Sequence, residues 1–521
     1  MKKSIQVTWL AIILSTATWG ANEKLSADLH AHSASGNIDV IVQYKVPPTE
    51  GHHQRVMALG GRLHSRLDSI KGAHYSIPAS QLETLADDPD VAYVSPNRPL
   101  RGMMDIPAET VNAAAAVAAG YSGAGIGVAV IDSGIVLASN FNHIVYQASF
   151  VGGAPVDQWG HGTHVAGLIG SNGSGSVYTG IVPDANFINL RALDKNGNGT
   201  DAGVINAINA AISLQSKYNI RVINLSLGRP VFEAAALDPL CQAVEAAWKA
   251  GIVVVVAAGN QGRNNSAGTN GYGTIAAPAN DPYVITVGAM KDMHTSTRAD
   301  DLIASYSSKG PTAFDNYVKP DILAPGNLVT STMGPSLGLA QLYPKNKVGG
   351  TEYILSGTSM AAPIVSGAAV VLLQKNPALT PDQVKARLMK TASKTFPQSS
   401  VAVDPATNTA YTSYYDIFTV GAGYLDIAAA LADTSVANGS ALSPSAVYYP
   451  ASGSVSLQGI RGVNVVWGSN VVWGANVVWG SNVVDGTHVV WGSNVVWGAN
   501  VVWGSTTTDA SENINIAING E

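Results

Sequence analysis

With one cysteine in 521 residues, Cys241, the chain can form no internal disulfide. Its stability must come from a packed core. Cys241 sits in an apolar helical pattern over 235–250, where a buried, inert thiol is the expected state and a nucleophile is not. Charge is scarce as well: Asp, Glu, Lys and Arg make up 12% of the chain, the formal net charge is -6 and the pI is near 6.0. No long run of Lys or Arg occurs, so the electrostatic footprint of a nucleic-acid binder is missing. Long apolar runs are missing too, because Gly, Ser and Asn break up every stretch after the first, which excludes a later membrane-spanning helix. That first stretch, Met1-Lys2-Lys3 followed by a mostly apolar run over 5–17, has the layout of a secretory signal peptide, assigned to 1–21. Gln6 and Thr8 interrupt it, which counts against the competing reading, an uncleaved anchor. Export of a soluble protein without a membrane anchor is the expectation.

What is present is enough chain for two or more packed domains, with 46% hydrophobic residues. Residues 38–44 alternate like a strand, and 52–59 read as a helix stopped by Gly60-Gly61. Two short strands follow over 62–77, then a helix over 80–88 with Glu83 three residues into it, then a strand at 91–94. Strand-helix-strand-strand-helix-strand is a small split βαβ unit. From about Met104 the texture changes. Apolar β-branched runs at 126–131, 222–227 and 252–256 alternate with helical patterns at 201–213 and 238–250, which predicts a parallel sheet covered by helices on both faces. The domain is expected to run over 104–434, with a Ser/Ala/Gly linker at 435–463. From 464 to 505 a hexapeptide, Asn-Val-Val-Trp-Gly-Ser/Ala, recurs seven times, one copy carrying Asp485 in place of Trp and the next opening with His488. Six is an even number, so each side-chain type returns to one face of an extended chain. A β-rich tail of parallel coils or serial hairpins is predicted, with low-complexity aggregation-prone sequence as the alternative, and 506–521 completes the chain.

Three elements carry chemistry. Asp132 ends the apolar strand and precedes Ser133-Gly134, at the strand end where α/β proteins build sites, although Asp-Ser-Gly is also an ordinary turn. His161 lies in Gly160-His161-Gly162-Thr163-His164, before an apolar helix. A metal pair with His164 competes there, but the Glu that a zinc hydrolase places between its histidines is absent, so no metal site is assigned. Ser359 opens the helix in Gly357-Thr358-Ser359-Met360-Ala361-Ala362-Pro363. A helix-capping serine is the plain alternative, yet Pro363 cannot donate to the Ser359 carbonyl, which disturbs the helix at that residue.

Taken together, these motifs resemble the subtilisin-like serine proteases, or subtilases, in which the triad occurs in the chain order Asp, His, Ser. The likeness extends over 104–431 and includes 222–228, 257–260 and 319–326. It implies an α/β catalytic domain with Asp132, His161 and Ser359 as triad and Asn260 as an oxyanion donor. It also implies strand edges at Gly197, Asn198 and Gly199 and at Ser226, Leu227 and Gly228 that pair with an extended peptide. Ala258 and Gly259, with 276–278, would line an acyl-side pocket, and its lack of acidic residues suggests apolar preference. Residues 194–199 also match half of a calcium loop, but Ile205 stands where the bidentate Glu belongs. At the family's usual calcium site Phe141 replaces an Asp and 171–176 hold no carboxylate, so that site is doubtful and no cofactor is required for chemistry. The βαββαβ unit, taken as 37–103, resembles the family's ferredoxin-like inhibitory propeptide. Protein or peptide substrates and the chain's own propeptide are the implied partners. A secreted or extracellular location is implied, and surface association through the repeats is the role suggested for the tail.

Overall fold

The computed structural model describes residues 24–25, 29, 36–67, 71–96, 106–138, 140–141, 143–174, 178–266, 268–404, 407–449, 454–459, 477–479, 482–485, 488–489, 516, 518 and 520–521. The expected signal peptide lies outside them, as does most of the repeat. The chain forms two compact units, Met1–Arg101 and Gly102–Glu521.

In the first unit, β1 (Asn37–Tyr44), α1 (Glu50–Ala58), β2 (Arg62–Leu67), β3 (Gly72–Pro78), α2 (Leu82–Ala86) and β4 (Val91–Pro96) follow in order. The strands form an antiparallel sheet in the order β2-β3-β1-β4. Burial in β1 alternates with period two, which turns Val40 and Val42 into a core shared with Tyr75, Ile77, Val91 and Val94.

In the second unit, an eight-stranded sheet is built from β5 (Gly127–Asp132), β6 (Ile144–Ser149), β7 (Asn186–Arg191), β8 (Ile220–Leu225), β9 (Val253–Ala257), β10 (Ile285–Lys291), β11 (Leu302–Ile303) and β12 (Ile322–Pro325). Its order is β11-β10-β9-β8-β5-β7-β6, with β12 also on β10, and every pairing is parallel except the short β10–β11. The sheet is therefore mixed, with a parallel body. Every residue of β5, β9 and β10 is buried, the mark of strands covered on both faces and the reason they read as continuous apolar runs. The long helix α6 (Thr358–Lys375) packs on β8, β9, β10 and β12 and against α3 (His161–Gly170), while α4 (Asp201–Tyr218) and α5 (Pro239–Lys249) pack together on β8 and β9. Contrary to the expectation from sequence, α6 is long and apolar enough to cross a membrane, alone among the described residues, but 83% of it is buried inside the unit, as in a core helix.

One further expectation changes. Of the residues predicted as linker, 435–463, those at 441–449 and 454–458 are part of the packed unit. Ser443 donates to the buried Asp321 carboxylate at 2.7 Å, Val318 N–H donates to the Pro444 carbonyl at 2.8 Å, and Val455, in a hairpin of β13 (Ser445–Tyr449) and β14 (Ser454–Gln458), is fully buried. Small polar residues serve here as partners for buried charge rather than as a flexible joint. The described parts of the repeat, Val477–Trp479, Asn482–Asp485 and His488–Val489, pair antiparallel.

Candidate active site

Asp132 is the last residue of β5, a central strand flanked on both sides by parallel neighbours, and its side chain is fully buried. One carboxylate oxygen accepts from the Ser133 N–H at 2.7 Å, and the two oxygens lie 2.8 and 3.0 Å from Nδ1 of His161. His161 opens α3, and the close approach of helix to strand depends on Gly162, where a Cβ would lie 2.3 Å from the Gly134 carbonyl oxygen. Burial opposes a charged imidazole, but the charge and hydrogen bond of Asp132, joined by the charge of Asp157, outweigh it and hold the His161 pKa above the ordinary value.

Asp157 was not singled out by sequence reading. Its carboxylate accepts from the N–H groups of Trp159, Gly160 and Thr163 and from the hydroxyls of Ser133 and Thr163, all within 3.0 Å. It thus satisfies the free amides at the start of the His161 helix. An Asp four residues before the His, at capping distance, was the signal available. His164 turns away from the site. Its Nε2 meets the Tyr353 carbonyl at 3.0 Å, and burial drives its pKa down to about 3, so it is neutral. The two imidazoles do not converge. Among the described residues the one group with three candidate metal donors within 4.8 Å is Asp39, His64 and His74, in the first unit's sheet.

Ser359 is the second residue of α6. The carbonyl that Pro363 leaves without a helical donor accepts instead from the Ser226 hydroxyl at 2.8 Å. That hydroxyl accepts from Asn224 Nδ2 at 2.9 Å, and Asn224 Oδ1 accepts from Ser366 at 2.8 Å. A buried polar chain therefore links β8 to α6 just beneath the nucleophile candidate. The Ser359 hydroxyl itself donates to the Ser226 carbonyl at 3.1 Å and makes no hydrogen bond to His161. Asn260 follows β9, and its Oδ1 accepts from the N–H and hydroxyl of Thr358 at 2.9 and 3.0 Å. Because an N–H can only donate, the amide orientation is fixed and Nδ2 is left with no protein partner.

The predicted edges differ in availability. Asn198 donates its N–H to Asp194 Oδ1 at 2.9 Å and accepts from the Asp194 N–H at 2.7 Å, so its main chain is already spent in a turn. Two hydrogen bonds from 196 and 198 keep the Asp194 pKa low, and the turn carries Gly197 and Gly199. It packs on Trp159, two residues before His161, since a Cβ on Gly197 would meet the indole at 2.6 Å. Leu227 and Gly228 make no main-chain hydrogen bond among the described residues. Ala258 pairs with Ala276 at 3.0 Å, and a Cβ on Gly228 or Gly259 would lie 3.2 Å from the Ala276 Cβ, so both walls converge on one small apolar residue. Phe141 is buried edge-on against Phe187, with ring centroids 5.7 Å apart, and Cys241 is a buried thiol that donates to Asn280.

The family model that matches the chain is that of the subtilases, over residues 123–418. Serine protease AprX of Bacillus subtilis is 36% identical over 379 residues, covering 67% of this chain and 81% of its own. Subtilisin E of the same species is 34% identical over 339 residues, covering 64% and 78%. An extracellular serine proteinase of a Thermus species is 33% identical over 335 residues, covering 62% and 70%.

Proposed function

The chain belongs to the subtilase family and is a serine endopeptidase; from that premise we propose that Asp132, His161 and Ser359 are its catalytic triad and Asn260 its oxyanion donor. The observation that carries this reading is the 2.8 Å contact of His161 Nδ1 with a fully buried carboxylate. With Nδ1 so engaged, Nε2 is the ring atom left to take the Ser359 proton as Oγ attacks the scissile carbonyl carbon. The Ser359 hydroxyl must first leave the Ser226 carbonyl, a small rotation of the kind that substrate binding induces. Charge then forms on the carbonyl oxygen, where Asn260 Nδ2 and the Ser359 N–H donate. Collapse expels the amine with the proton from His161, and water repeats the sequence on the acyl-enzyme.

Substrate backbone pairs with Leu227 and Gly228, whose main-chain groups are free among the described residues, and beside Asn198 with Gly199 and the Gly197 carbonyl, the Gly197 N–H being spent on the Asp194 carbonyl at 3.1 Å. Ala258 and Gly259, with 276–278, wall the acyl-side pocket, which favours apolar side chains, and Ser226 belongs to the substrate edge with Leu227 and Gly228. Peptide-library profiling tests this, and dominant cleavage after Arg or Lys would reverse it. The chemistry needs no cofactor, and calcium at the family's usual position is not part of the proposal.

In this reading the protein is exported, its first unit is an inhibitory propeptide, and maturation is self-catalysed by cutting near Met103-Met104. Support comes from the βαββαβ order of that unit and from the lysine-led apolar start of the chain. Covalent attachment gives an inhibitor high effective concentration. Expression of the wild type and of Ser359→Ala tests it: the wild type releases its first unit unaided and Ser359→Ala stays full-length. Release by Ser359→Ala in a host lacking other proteases would end the proposal. The repeats mediate surface association, which is checked by comparing cell retention with and without 464–505.

A further inference from the structure

Glu521 lies far from the triad in sequence but is sunk into the catalytic unit, its side chain only 2% exposed. One carboxylate oxygen meets Arg263 Nη2 at 3.0 Å and accepts from the Ser305 N–H at 2.6 Å and from the Ser305 hydroxyl. The other meets Lys291 Nζ at 2.8 Å. The Glu521 main chain makes a reciprocal pair with the Asn327 amide, at 3.0 and 3.1 Å. Upstream, the Ile518 carbonyl accepts from Asn346 at 2.5 Å, and Ile516 and Ile518 are buried in the main core. A carboxylate, a reciprocal amide pair and two apolar anchors are how a protein holds a peptide ligand.

The seat is directly behind the active site. Arg263 is three residues past Asn260. Asn327 follows Gly326, whose carbonyl accepts from the Gly357 N–H at 2.7 Å, and the Leu328 N–H donates to Ser356 at 2.8 Å. Gly520 abuts the same serine, since a Cβ there would lie 2.6 Å from Ser356 Oγ. The turn 356–359 is thus backed by this segment.

We propose that the segment carrying Ile516, Ile518, Gly520 and Glu521 is an intramolecular acidic peptide ligand, seated through Glu521 in a socket of Arg263, Lys291 and Ser305, and that its seating positions the turn bearing Ser359. Arg263 also pairs with Asp404 at 2.6 Å and stacks on Tyr411, so the socket is built on one side independently of Glu521. Without Glu521, Arg263 keeps Asp404, whereas the buried Lys291 loses the carboxylate it pairs with. The proposal goes beyond the triad assignment, and its binding arms do not depend on it.

In a Ser359→Ala background, Glu521→Gln and a deletion of 516–521 are each compared with the parent by thermal melting, with a synthetic peptide of residues 512–521 added at up to about 1 mM, above the effective concentration that a tether of this length supplies. The melting temperature is expected to fall by about 10 °C in both. The peptide restores the deletion variant saturably, and the same peptide with Gln at 521 does not. In otherwise wild-type protein, Glu521→Gln lowers kcat several-fold with KM unchanged, a split that general loosening would not produce. An unchanged melting temperature for Glu521→Gln overturns the proposal even if the deletion variant fails to fold, as does a peptide that restores nothing or restores equally well with Gln.

Discussion

His161 is governed by two carboxylates that act at different ranges. Asp132 touches the ring, while Asp157 holds the helix that carries it and adds charge from a distance. A base must be neutral to accept a proton, so a raised pKa moves the acidic limb of the kcat/KM profile above the ordinary imidazole value of about 6.5. Asp157→Asn removes one of the anions that raise it, and the limb is expected to shift to lower pH, as read from rate profiles between pH 5 and 9. The same residue has a separate structural effect. Asp157→Ala strands buried amide donors at the helix start and is expected to lower stability by about 3 kcal/mol in denaturant titration. The raised pKa also means that this histidine contributes stability below about pH 6.5, a contribution lost as pH rises through its folded value. None of the Asp157 role was stated from sequence, because five donors drawn from 133 to 163 converge on it only once strand and helix meet.

Helix α6 shows what an element gains from a residue that ought to break it. Pro363 frees the Ser359 carbonyl, the Ser226 hydroxyl fills the vacancy, and Asn224 and Ser366 complete the chain across to β8. Position 226 therefore contributes more than the proposed edge for substrate, since its hydroxyl fixes the height of the turn that bears Ser359, the proposed nucleophile. Ser226→Ala takes from that carbonyl and from Asn224 Nδ2 the partner each has, while Asn224 Oδ1 keeps Ser366. A loss of about 2 kcal/mol in stability and about tenfold in kcat is expected from calorimetry and steady-state rates. The proline's effect on the helix was legible in advance, because its missing N–H follows from the covalent structure. The identity of the donor that answers it was not, since Ser226 is remote in the chain and arrives through the β8–α6 packing.

At the scale of the whole molecule, the catalytic unit is larger than its motif-bearing segment. Residues 441–449 and 454–458 complete it, with Ser443 on Asp321, Pro444 on Val318 and Val455 sealed from solvent. Val455→Asp buries a charge with no partner and is expected to cost at least about 3 kcal/mol, whereas a free linker would tolerate it within about 0.5 kcal/mol. Chemical denaturation of the two proteins decides. The chain by itself determined the strands that are apolar throughout, the order Asp132, His161, Ser359, and the glycine that lets helix approach strand, because each follows from local sterics or from burial on two faces. Tertiary structure alone decided which groups answer the buried charges and the freed carbonyl: Asp157, Ser226, Ser443 and Glu521. Polar partners are chosen by proximity in space, and a hydroxyl or carboxylate looks the same in sequence whether it meets water or a buried cation.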